Sequence, residues 1–560
     1  MSDGVDDKQN TPAAKPRAVA RRARIALRTL RDRWRAPRSS GERAAQQLIV
    51  TLSELTGQRR HAEAVELAEQ NLHRYAGDPA FLKQARATFN KAGAMSLQLE
   101  ATRMHTRIED NPTARTREAI LHGRWRETSE DWRPEVVGEP EALTPASPNK
   151  ILHLLKISLP HRQSGYSVRS KYSVEGQRSA GLDPVAVTAL GFPRQVGITD
   201  FPVEEEIAGV RYRRLDPGPD YDFDGPWDQY LQDYVDAAAE VVREEAPAVI
   251  HAHSGHRGYE SALVGLALGR HFSIPVVYEV RGFFESLWTS HTEWSERSET
   301  YRRRVDTENR CMAEADAVVT LSESMRGEIV ARGIPAEKVF VVPNGVNVEA
   351  FQPRARSSAL VDRYGLADSF TFGYVSNLDH YREGQEALIE AAVELRSRGI
   401  KATALIVGDG KRRDKLEKLA QEREAGSSVI FTGKVPHDEV LDYYALLDVF
   451  VIPRVNERAA RLVTPLKPFE AMSAGIPLVT SDLEALREIT GEGERGRYFP
   501  AGDATALADV LAELRADPQD RAAMAENARE WVIAERQWSA NGRRYAEIYQ
   551  RLRSEAQPKA

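Results

Sequence analysis

The chain contains a single cysteine, Cys311, among 560 residues. One thiol excludes an internal disulfide and any cysteine-based zinc cluster, and it is typical of proteins kept in a reducing compartment. No apolar run approaches the roughly 20 residues that a membrane-spanning helix needs. The basic N-terminus lacks the uninterrupted apolar segment of a signal peptide. Together these absences predict a protein that is made and kept in the cytoplasm.

An excess of positive charge is also missing, because 77 Lys and Arg residues face 83 Asp and Glu residues and the formal net charge is −6. This balance argues against nucleic acid as a partner. The GDG triplet at 408–410 lacks the further glycine of a dinucleotide fingerprint, so no resident cofactor is expected. At 560 residues the chain is expected to form more than one domain, and its 41% of hydrophobic residues are enough to form their cores.

Residues 1–40 are polar and basic. Within them, residues 15–38 hold ten Lys and Arg against one acid, and apolar residues recur at steps of three and four. This spacing predicts a basic amphipathic helix, which can lie on an anionic membrane surface such as the inner face of a membrane. A solvated linker helix, or an arm that docks on its own protein, fits the same pattern, and the choice stays open.

Residues 41–112 show helical patterns without strand patterns. Similar stretches end near GDPAF, 77–81, and near EDNPT, 109–113, about 33 residues apart. The spacing resembles tetratricopeptide-like helix pairs, and an ordinary helical bundle fits nearly as well. Such a module can recruit a protein partner. Residues 113–149, rich in Trp, Pro and Glu, are predicted to be a connector.

From residue 150 onward, short β-branched runs such as ILHLLKIS alternate with helical patterns, and a second such set begins with TFGYVS at 371. This alternation predicts two doubly wound, Rossmann-like domains of parallel strands, over 150–360 and 361–535. A single amphipathic helix is predicted over about 519–552, and residues 536–560 are expected to return toward the first domain. Ligands of such sheets bind at the carboxyl ends of the strands.

The stretch LVTPLKPFEAMSAGIPLVTS places Lys467 three residues before Glu470, where a predicted helix follows the strand VFVIP. The free N–H groups of a helix start carry about half a positive charge, and Lys467 adds a full charge. This arrangement suits a diphosphate, while the Glu470 carboxylate can accept hydrogen bonds from two ribose hydroxyls. The residues therefore predict a sugar nucleotide as the ligand.

Five stretches in a fixed order carry a family resemblance: LPHRQSGYSVRS (159–170), TLSESMRGEIVARGIPAEKVFVVPNGVN (320–347), LIVGDGKRRDKL (405–416), FTGKVPHDEVLDYYALLDVFVIP (431–453) and KPFEAMSAG (467–475). Over about 150–550 the sequence resembles family 4 glycosyltransferases, which are retaining enzymes of the GT-B fold. The resemblance implies an α/β protein with an acceptor domain and a nucleotide-sugar domain facing a cleft. It also implies metal-independent transfer of a sugar to a glycan or lipid-linked acceptor. The pattern VIPR…VTPLKP is similar to the subgroup associated with cell-surface polysaccharide assembly.

The resemblance also implies roles for particular residues. The loop at Gly165 is expected to approach the donor phosphate or the acceptor, and the main chain near Val435 is expected to bind the base. Glu470 matches the second glutamate of the family's Glu-x7-Glu motif. The donor-binding residues implied in this way are Gly165, Val435, Thr464, Leu466, Lys467, Glu470 and Arg382.

The sequence departs from the family pattern at three donor positions. Leu462 replaces the first glutamate of the motif, and Asn377 and Glu383 replace the usual Arg and Lys. Two phosphate-neutralising charges are therefore missing, and Arg454 and Arg382, with Lys467, are expected to replace them.

Arg281 stands where the family usually has a histidine at the end of a strand. Since an arginine stays protonated, it cannot serve as a base. In the mechanism implied for the family, the leaving phosphate takes the acceptor proton, and nearby cations stabilise the growing charge. The implied catalytic residues are Arg454, Lys467, Glu279, Arg281 and His253, and the implied acceptor-binding residues are Tyr166, Arg169 and His253.

Two patterns suggest metal binding, HAHSGH at 251–256 and DYDFDG at 220–225. A cleft-lining loop and a plain acidic turn account for them better, so no metal site is predicted. Three other functions stay open: a nucleotide-sugar epimerase of the same architecture, a non-catalytic sugar-nucleotide-binding protein, and a scaffold whose helical module carries the function.

Overall fold

The structure is a computed structural model that describes residues 40–285, 292–436 and 438–556. The predicted basic helix at 15–38 lies outside the described residues. Contacts among the described residues divide the chain into two compact units, with the boundary between residues 118 and 119. None of the described helices combines the length and the apolar content that crossing a membrane requires.

The first unit is helical throughout its described residues. Its helices are α1 Ser40–Gly57, α2 His61–Leu72, α3 Pro79–Ala92, α4 Met95–Glu109 and α5 Pro112–Arg126, and the division between the units falls within α5. Phe81 and Phe89 of α3 are fully buried at the centre of its core. The Asp78 side chain caps α3 by accepting hydrogen bonds from two backbone N–H groups. The 33-residue spacing thus reflects helix starts at Pro79 and Pro112, and membership of the tetratricopeptide class stays a prediction.

The N lobe, residues 150–342, holds an eight-stranded sheet in the order β3-β4-β2-β1-β5-β6-β7-β8. Every pairing is parallel except that of β3 with β4. Several of these strands are buried on both faces, which is why they read as continuous apolar runs. The strands are β1 Lys150–Leu155, β2 Asp183–Thr188, β3 Glu204–Ile207, β4 Val210–Arg214, β5 Val249–His253, β6 Val276–Glu279, β7 Ala317–Thr320 and β8 Val339–Val341.

The sequence pattern did not reveal the hairpin of β3 and β4. Its strands carry charged residues, and Arg213 of β4 lies opposite Glu204 of β3. The turn residues Ala208 and Gly209 both have positive φ, of 51° and 78°. These strands are stabilised partly by opposite charges that face each other, and they lack the apolar run by which a buried strand is recognised in a sequence.

Helices cover the N-lobe sheet. They are α6 Gly165–Ser179, α7 Trp227–Glu245, α8 Glu260–Phe272, α9 Thr292–Ser295, α10 Glu299–Glu314 and α11 Glu323–Ala331. Helix α6 begins directly after the loop that follows β1, and Ser164 and Ser167 form a capping box at its start. This cap fixes the first turn of α6 at the carboxyl edge of the sheet.

The C lobe, residues 358–535, is a second Rossmann-like unit with an all-parallel sheet in the order β11-β10-β9-β12-β13-β14. Its strands are β9 Phe370–Val375, β10 Ala402–Val407, β11 Val429–Gly433, β12 Val449–Ile452, β13 Leu478–Ser481 and β14 Arg497–Phe499. Its helices are α12 Ser358–Tyr364, α13 Glu386–Ser397, α14 Arg413–Glu422, α15 Val440–Tyr444, α16 Arg458–Leu462, α17 Lys467–Ser473, α18 Glu484–Thr490, α19 Ala504–Ala516 and α20 Pro518–Glu535.

Side chains of the C lobe bind directly to the N lobe. The Glu488 carboxylate of α18 accepts hydrogen bonds from the backbone N–H groups of Glu323, at 2.9 Å, and Ser324, at 2.6 Å. It therefore caps the first turn of α11 from across the interface. Arg458 of α16 donates a hydrogen bond of 2.9 Å to the buried Glu285 carboxylate.

The single helix predicted over about 519–552 is wrong, because the structure has two helices, α20 and α21 (Trp538–Ala556). The break falls where the Arg536 carbonyl accepts a hydrogen bond of 2.8 Å from Val346 N in the chain that joins the lobes. Helix α21 then packs on α6, and Tyr545 and Tyr549 join the core beneath the N-lobe sheet. A Cβ at Gly542 would lie 1.9 Å from the carbonyl oxygen of Gly176, so only glycine allows this close helix approach.

Candidate active site

A cavity of 1170 Å³ opens between the two lobes. The loop after β1, the start of α6 and Arg281 after β6 form its N-lobe wall, and the loops after β9 and β12 with the start of α17 form its C-lobe wall. Both walls lie at the carboxyl ends of parallel strands, where doubly wound folds bind ligands. The predicted site residues that line the cavity are Gly165, Tyr166, Arg169, Arg281, Arg382, Arg454, Thr464, Leu466, Lys467 and Glu470.

Lys467 and Glu470 form a pair on the C-lobe wall. Lys467 Nζ donates a hydrogen bond of 2.9 Å to Glu470 Oε2, and the Tyr444 hydroxyl donates one of 2.8 Å to the same oxygen. Neither bond uses Glu470 Oε1. Helix α17 has only seven residues, and Pro468 within its first turn has no N–H group. The helix start therefore supplies less positive charge than the sequence predicted, and the lysine ammonium supplies most of it.

Glu383 holds Arg454 at the cavity. The Arg454 Nη2 and Nε atoms lie 3.1 Å and 3.3 Å from the two Glu383 oxygens, and the Tyr374 hydroxyl donates a 2.6 Å hydrogen bond to Glu383. Burial alone would raise the pKa of Glu383, but Arg454 and Tyr374 outweigh it and the pKa falls below its usual value. Gly384 has φ of 67°, and a Cβ there would lie 1.9 Å from the Pro453 carbonyl oxygen, so the turn that places Glu383 requires glycine.

Glu279, at the end of β6, is the centre of a buried ion cluster beneath the N-lobe wall. Its Oε1 accepts hydrogen bonds from Arg169 Nε at 3.0 Å and Arg281 Nε at 2.7 Å, and its Oε2 accepts one from the Tyr545 hydroxyl at 2.5 Å. The exposed fractions of the Glu279, Arg169 and Arg281 side chains are 0%, 3% and 4%. Burial would raise the pKa of Glu279, but the two guanidinium groups outweigh it and hold the pKa well below the usual range.

A chain of neutral histidines continues from Arg281. Arg281 Nη2 donates to His253 Nδ1 at 2.7 Å, His253 Nε2 lies 2.9 Å from His153 Nδ1, and His153 Nε2 lies 2.9 Å from Gln177 Oε1. Because Arg281 can only donate, His253 carries its proton on Nε2 and His153 carries its proton on Nε2. Burial, aided by Arg281 at His253 and by His251 at His153, holds the pKa of both imidazoles well below the usual value.

Three predicted residues do not line the cavity. His253 and Glu279, implied to be catalytic, are fully buried behind Arg281 and hold that arginine in place by hydrogen bonds. Val435 lies in the loop after β11, partly buried against the C-lobe core. Its part in binding the base stays a prediction.

Two residues on the cavity wall have their side chains fully engaged by the protein. Arg169 is predicted to bind the acceptor, but its guanidinium donates to Glu279, Asn344 and the carbonyls of Val342 and Pro343. Arg281 likewise has partners for each of its nitrogen atoms. Both are fixed charges of the cavity wall rather than free hydrogen-bond donors.

Gly165 lies where the N-lobe wall meets the C lobe. A Cβ built on Gly165 would be 3.5 Å from Leu466 Cδ1, an ordinary contact distance. The protein itself therefore leaves room for a side chain there, and a need for glycine would have to come from a bound ligand.

Sequence reasoning missed Lys156, Asn344, Tyr545 and His153. Lys156 follows β1 at the carboxyl edge of the sheet, which is the one positional signal that could have identified it. Asn344 joins the lobes, since its Oδ1 accepts from Arg169 and its Nδ2 donates to the Thr464 carbonyl at 2.9 Å. Tyr545 lies more than 250 residues from Glu279 in sequence, and no local pattern connects them.

The two patterns that suggest metal binding form hydrogen-bonded structures in the described part of the chain. Nitrogen atoms of His153, His251 and His253 lie within 4.8 Å of one another. Nitrogens of His153 and His253 are hydrogen-bonded to each other, and a cation there would also face Arg169 and Arg281. In DYDFDG, Asp222 accepts a hydrogen bond from Asp224 N at 3.0 Å, as in an aspartate turn.

Replacing Tyr545 with phenylalanine removes the hydrogen bond that its hydroxyl donates to the buried Glu279 carboxylate, which retains both arginines, and the 3.3 Å hydrogen bond that the hydroxyl accepts from Arg169. We expect a loss of about 1.5–3 kcal/mol in the free energy of unfolding, since hydrogen bonds to charged groups contribute about that much. Urea denaturation of the full chain measures it. Tyr498→Phe, at a partly buried tyrosine of β14 outside this cluster, is the matched control and should change stability by less than about 0.5 kcal/mol. Equal losses in the two variants would contradict the structural role of the Tyr545 hydroxyl.

Two family models match the chain. The model described as "Glycosyl transferase 4-like domain" matches residues 164–345, and the model described as "Glycosyl transferases group 1" matches residues 362–531. Together they span more than half of the chain, one on each lobe.

The chain is also similar to individual proteins. A GDP-mannose-dependent alpha-(1-6)-phosphatidylinositol monomannoside mannosyltransferase of Mycolicibacterium smegmatis is 31% identical over 238 residues, covering 42% of this chain and 62% of the relative. The chain thus aligns with less than two thirds of that relative's length. Sucrose-phosphate synthase from Thermosynechococcus elongatus has a TM-score of 0.59 at 23% identity, covering 72% of this chain and 99% of the other.

Anabaena HepE in complex with UDP-glucose has a TM-score of 0.55 at 19% identity, covering 72% of this chain and 99% of HepE. At these identities the two solved structures establish the fold, and they confirm the predicted GT-B architecture. The chain therefore belongs to the family 4 glycosyltransferases with the GT-B fold, since both family models match and the two Rossmann-like lobes enclose a cleft.

Proposed function

We propose that the chain is a retaining glycosyltransferase that transfers a sugar from a nucleotide-diphosphate sugar to a glycan or lipid-linked acceptor. One observation carries the proposal: Lys467, Arg382 and Arg454 line the same interlobe cavity on its C-lobe wall. Three cations on one wall suit a diphosphate, and family membership supplies the class of reaction. Donor and acceptor would lie on different lobes, so closure of the lobes over the donor is part of the proposal.

The donor is proposed to lie along the C-lobe wall. Its diphosphate would contact Lys467 and Arg382, whose side chains are 34% and 24% exposed and can reach a ligand. Glu470 would accept hydrogen bonds from the ribose hydroxyls through Oε1. Thr464 and Leu466 would shape the diphosphate site, and the loop at Val435 would bind the base.

The chemical step transfers the anomeric carbon from the leaving phosphate to the acceptor hydroxyl. The bond between the anomeric carbon and the phosphate oxygen breaks, and a bond to the acceptor oxygen forms on the same face of the sugar. The acceptor proton passes to the leaving phosphate, since Arg281 stays protonated and the buried histidines do not reach the cavity. Arg454 and Lys467 stabilise the charge that develops on that phosphate.

The acceptor is proposed to be a glycolipid or a cell-surface polysaccharide precursor. Support comes from the mannosyltransferase relative, whose name describes a lipid-linked acceptor. Contact of residues 15–38 with the inner face of a membrane, and recruitment of a protein partner by the helical unit, belong to the same proposal. No metal or resident cofactor is part of the proposed reaction.

A thermal-shift panel of UDP-, GDP-, ADP- and CDP-linked sugars tests donor binding, because a ligand that binds the folded state raises the melting temperature. One nucleotide class is expected to raise it by several degrees. Chromatography of the products with and without acceptor then separates the alternatives. An epimerase changes the donor without an acceptor, and a non-catalytic binding protein, which Glu383, Asn377 and Leu462 suggest, shows donor binding without turnover in any acceptor screen.

A further inference from the structure

We propose that Lys156 forms a subsite for an anionic group of the acceptor, a phosphate or a carboxylate, on the N-lobe wall of the cleft. The inference rests on the proposed function and adds the chemical class of the acceptor. Lys156 follows β1, where the strand reaches the cavity, and it lines the same cavity as Lys467 from the opposite lobe.

The Lys156 ammonium has few partners in the described part of the chain. It donates one hydrogen bond of 3.0 Å, to the Gly255 carbonyl, and lies 4.5 Å and 4.4 Å from the ring centroids of Tyr166 and Phe284. No carboxylate of the described residues lies within ion-pair distance of it. Burial lowers the pKa of Lys156 to about 8, so the side chain is still mostly protonated near neutral pH.

No carboxylate of the described residues forms a contact ion pair with Lys156. The Glu260 carboxylate favours the charged form of Lys156 from beyond ion-pair distance, and its two oxygens accept hydrogen bonds from Arg257 N at 2.8 Å and 2.9 Å. Arg281 and Arg169 share the single carboxylate of Glu279 beneath the same wall. Glu205 and Glu206 also line the N-lobe side of the cavity, but Glu205 is paired with Arg214 and neither carboxylate forms an ion pair with Lys156.

A partly buried cation without a counterion is costly, and the cost falls when a ligand brings the opposite charge. The two aromatic faces stabilise the ammonium through their quadrupoles, but they add no compensating charge. An anion that enters the cavity at Lys156 would provide it. The recognised group is therefore an anion, and experiment distinguishes phosphate from carboxylate.

The position of Lys156 favours the acceptor over the donor. The proposed diphosphate cations Lys467, Arg382 and Arg454 lie on the C-lobe wall, whereas Lys156 lies on the N lobe against Tyr166. A residue that served the donor would change nucleotide affinity when substituted. A residue that serves the acceptor would not, and this difference can be measured directly.

Calorimetry on the full chain with three decyl compounds below their micelle concentrations tests the proposal. The probes are decyl phosphate, decyl glucuronide and the neutral decyl glucoside. They are titrated with and without saturating UDP, GDP or ADP, whichever raises the melting temperature most. We expect at least one anionic probe to bind the wild type about tenfold or more tightly than the glucoside, which corresponds to one charge-assisted hydrogen bond. The stronger of the two anionic probes identifies phosphate or carboxylate as the recognised group.

Variants of Lys156 test whether this residue causes the preference for anionic over neutral probes. Lys156→Met should abolish most of that preference and leave nucleotide affinity unchanged. If the methionine variant does not fold, Lys156→Gln is used and should give the same result. Lys418→Met is the matched control, since Lys418 is 74% exposed on α14 and does not line the cavity. It should retain the full preference.

Three results would overturn the inference: equal binding of charged and neutral probes to the wild type, a charge preference that survives both Lys156 variants, or a loss of nucleotide affinity in Lys156→Met. A wild type that binds no nucleotide diphosphate would instead contradict the proposed function. Because the preference for anionic probes is also measured without nucleotide, failure of the Lys156 proposal can be distinguished from failure of the proposed function.

Discussion

Replacing Glu279 with glutamine is expected to lower the free energy of unfolding by about 3–5 kcal/mol, because breaking a buried ion pair leaves an uncompensated buried charge. Here two guanidinium groups, of Arg169 and Arg281, depend on the same fully buried carboxylate. Glutamine keeps the shape of the side chain but provides no negative charge. With its amide oxygen in the place of Oε1, glutamine can still accept from both arginines but carries no charge, and its NH₂ group then faces the Tyr545 hydroxyl.

Urea denaturation followed by circular dichroism measures the change, with the full chain treated as more than one cooperative unit. Glu349→Gln, at an exposed residue after β8, is the matched control and should change stability by less than about 0.5 kcal/mol. A loss below about 1 kcal/mol in Glu279→Gln would show that the cluster does not depend on the carboxylate charge.

The difference between wild type and Glu279→Gln should also depend on pH in a defined direction. Since the folded-state pKa of Glu279 is depressed, its contribution is fully present above the unfolded value of about 4.3 and is lost as pH falls below it. The difference should therefore be constant between about pH 7.5 and pH 5.5 and shrink only below about pH 4. A difference that shrinks already between pH 7 and pH 6 would indicate another titrating group.

Replacing Lys467 with alanine is expected to weaken the binding of a nucleotide-diphosphate sugar by about 10- to 100-fold, since a charge-assisted hydrogen bond contributes about 1.5–3 kcal/mol. The variant loses the ammonium of the C-lobe wall. It also leaves the Glu470 carboxylate without its 2.9 Å partner and facing the diphosphate. Both changes act in the same direction.

Calorimetry with the donor found in the thermal-shift panel measures the loss, and Lys418→Ala, outside the cavity, serves as the control. Glu470→Gln alone should weaken recognition of the nucleoside. Because Lys467 and Glu470 contact each other, the double variant should lose less affinity than the two single losses combined. Unchanged affinity in a folded Lys467→Ala protein would place the donor site elsewhere.

The sequence alone determined the two Rossmann-like lobes and the proximity of the C-lobe residues of the candidate site. The parallel strands are short, β-branched and buried, so composition and periodicity are enough to identify them. Thr464, Lys467 and Glu470 lie within seven residues of one another after a single strand, and their proximity follows from the local chain path. The sequence did not predict the hairpin of β3 and β4, because its charged residues come opposite one another only after the strands pair.

Only the tertiary structure determined which charged side chains form ion pairs and which do not. In the sequence, Glu383 stands where the family usually has a cation that neutralises phosphate. In the structure it binds Arg454, 71 residues away, and holds it at the cavity. Tyr545 reaches Glu279 across 266 residues, and at the break between α20 and α21 Val346 N donates a hydrogen bond to the Arg536 carbonyl, about 190 residues away in sequence. The physical reason is common to all three: hydrogen bonds and ion pairs act over about 3 Å in space, and only folding brings such distant residues to that distance.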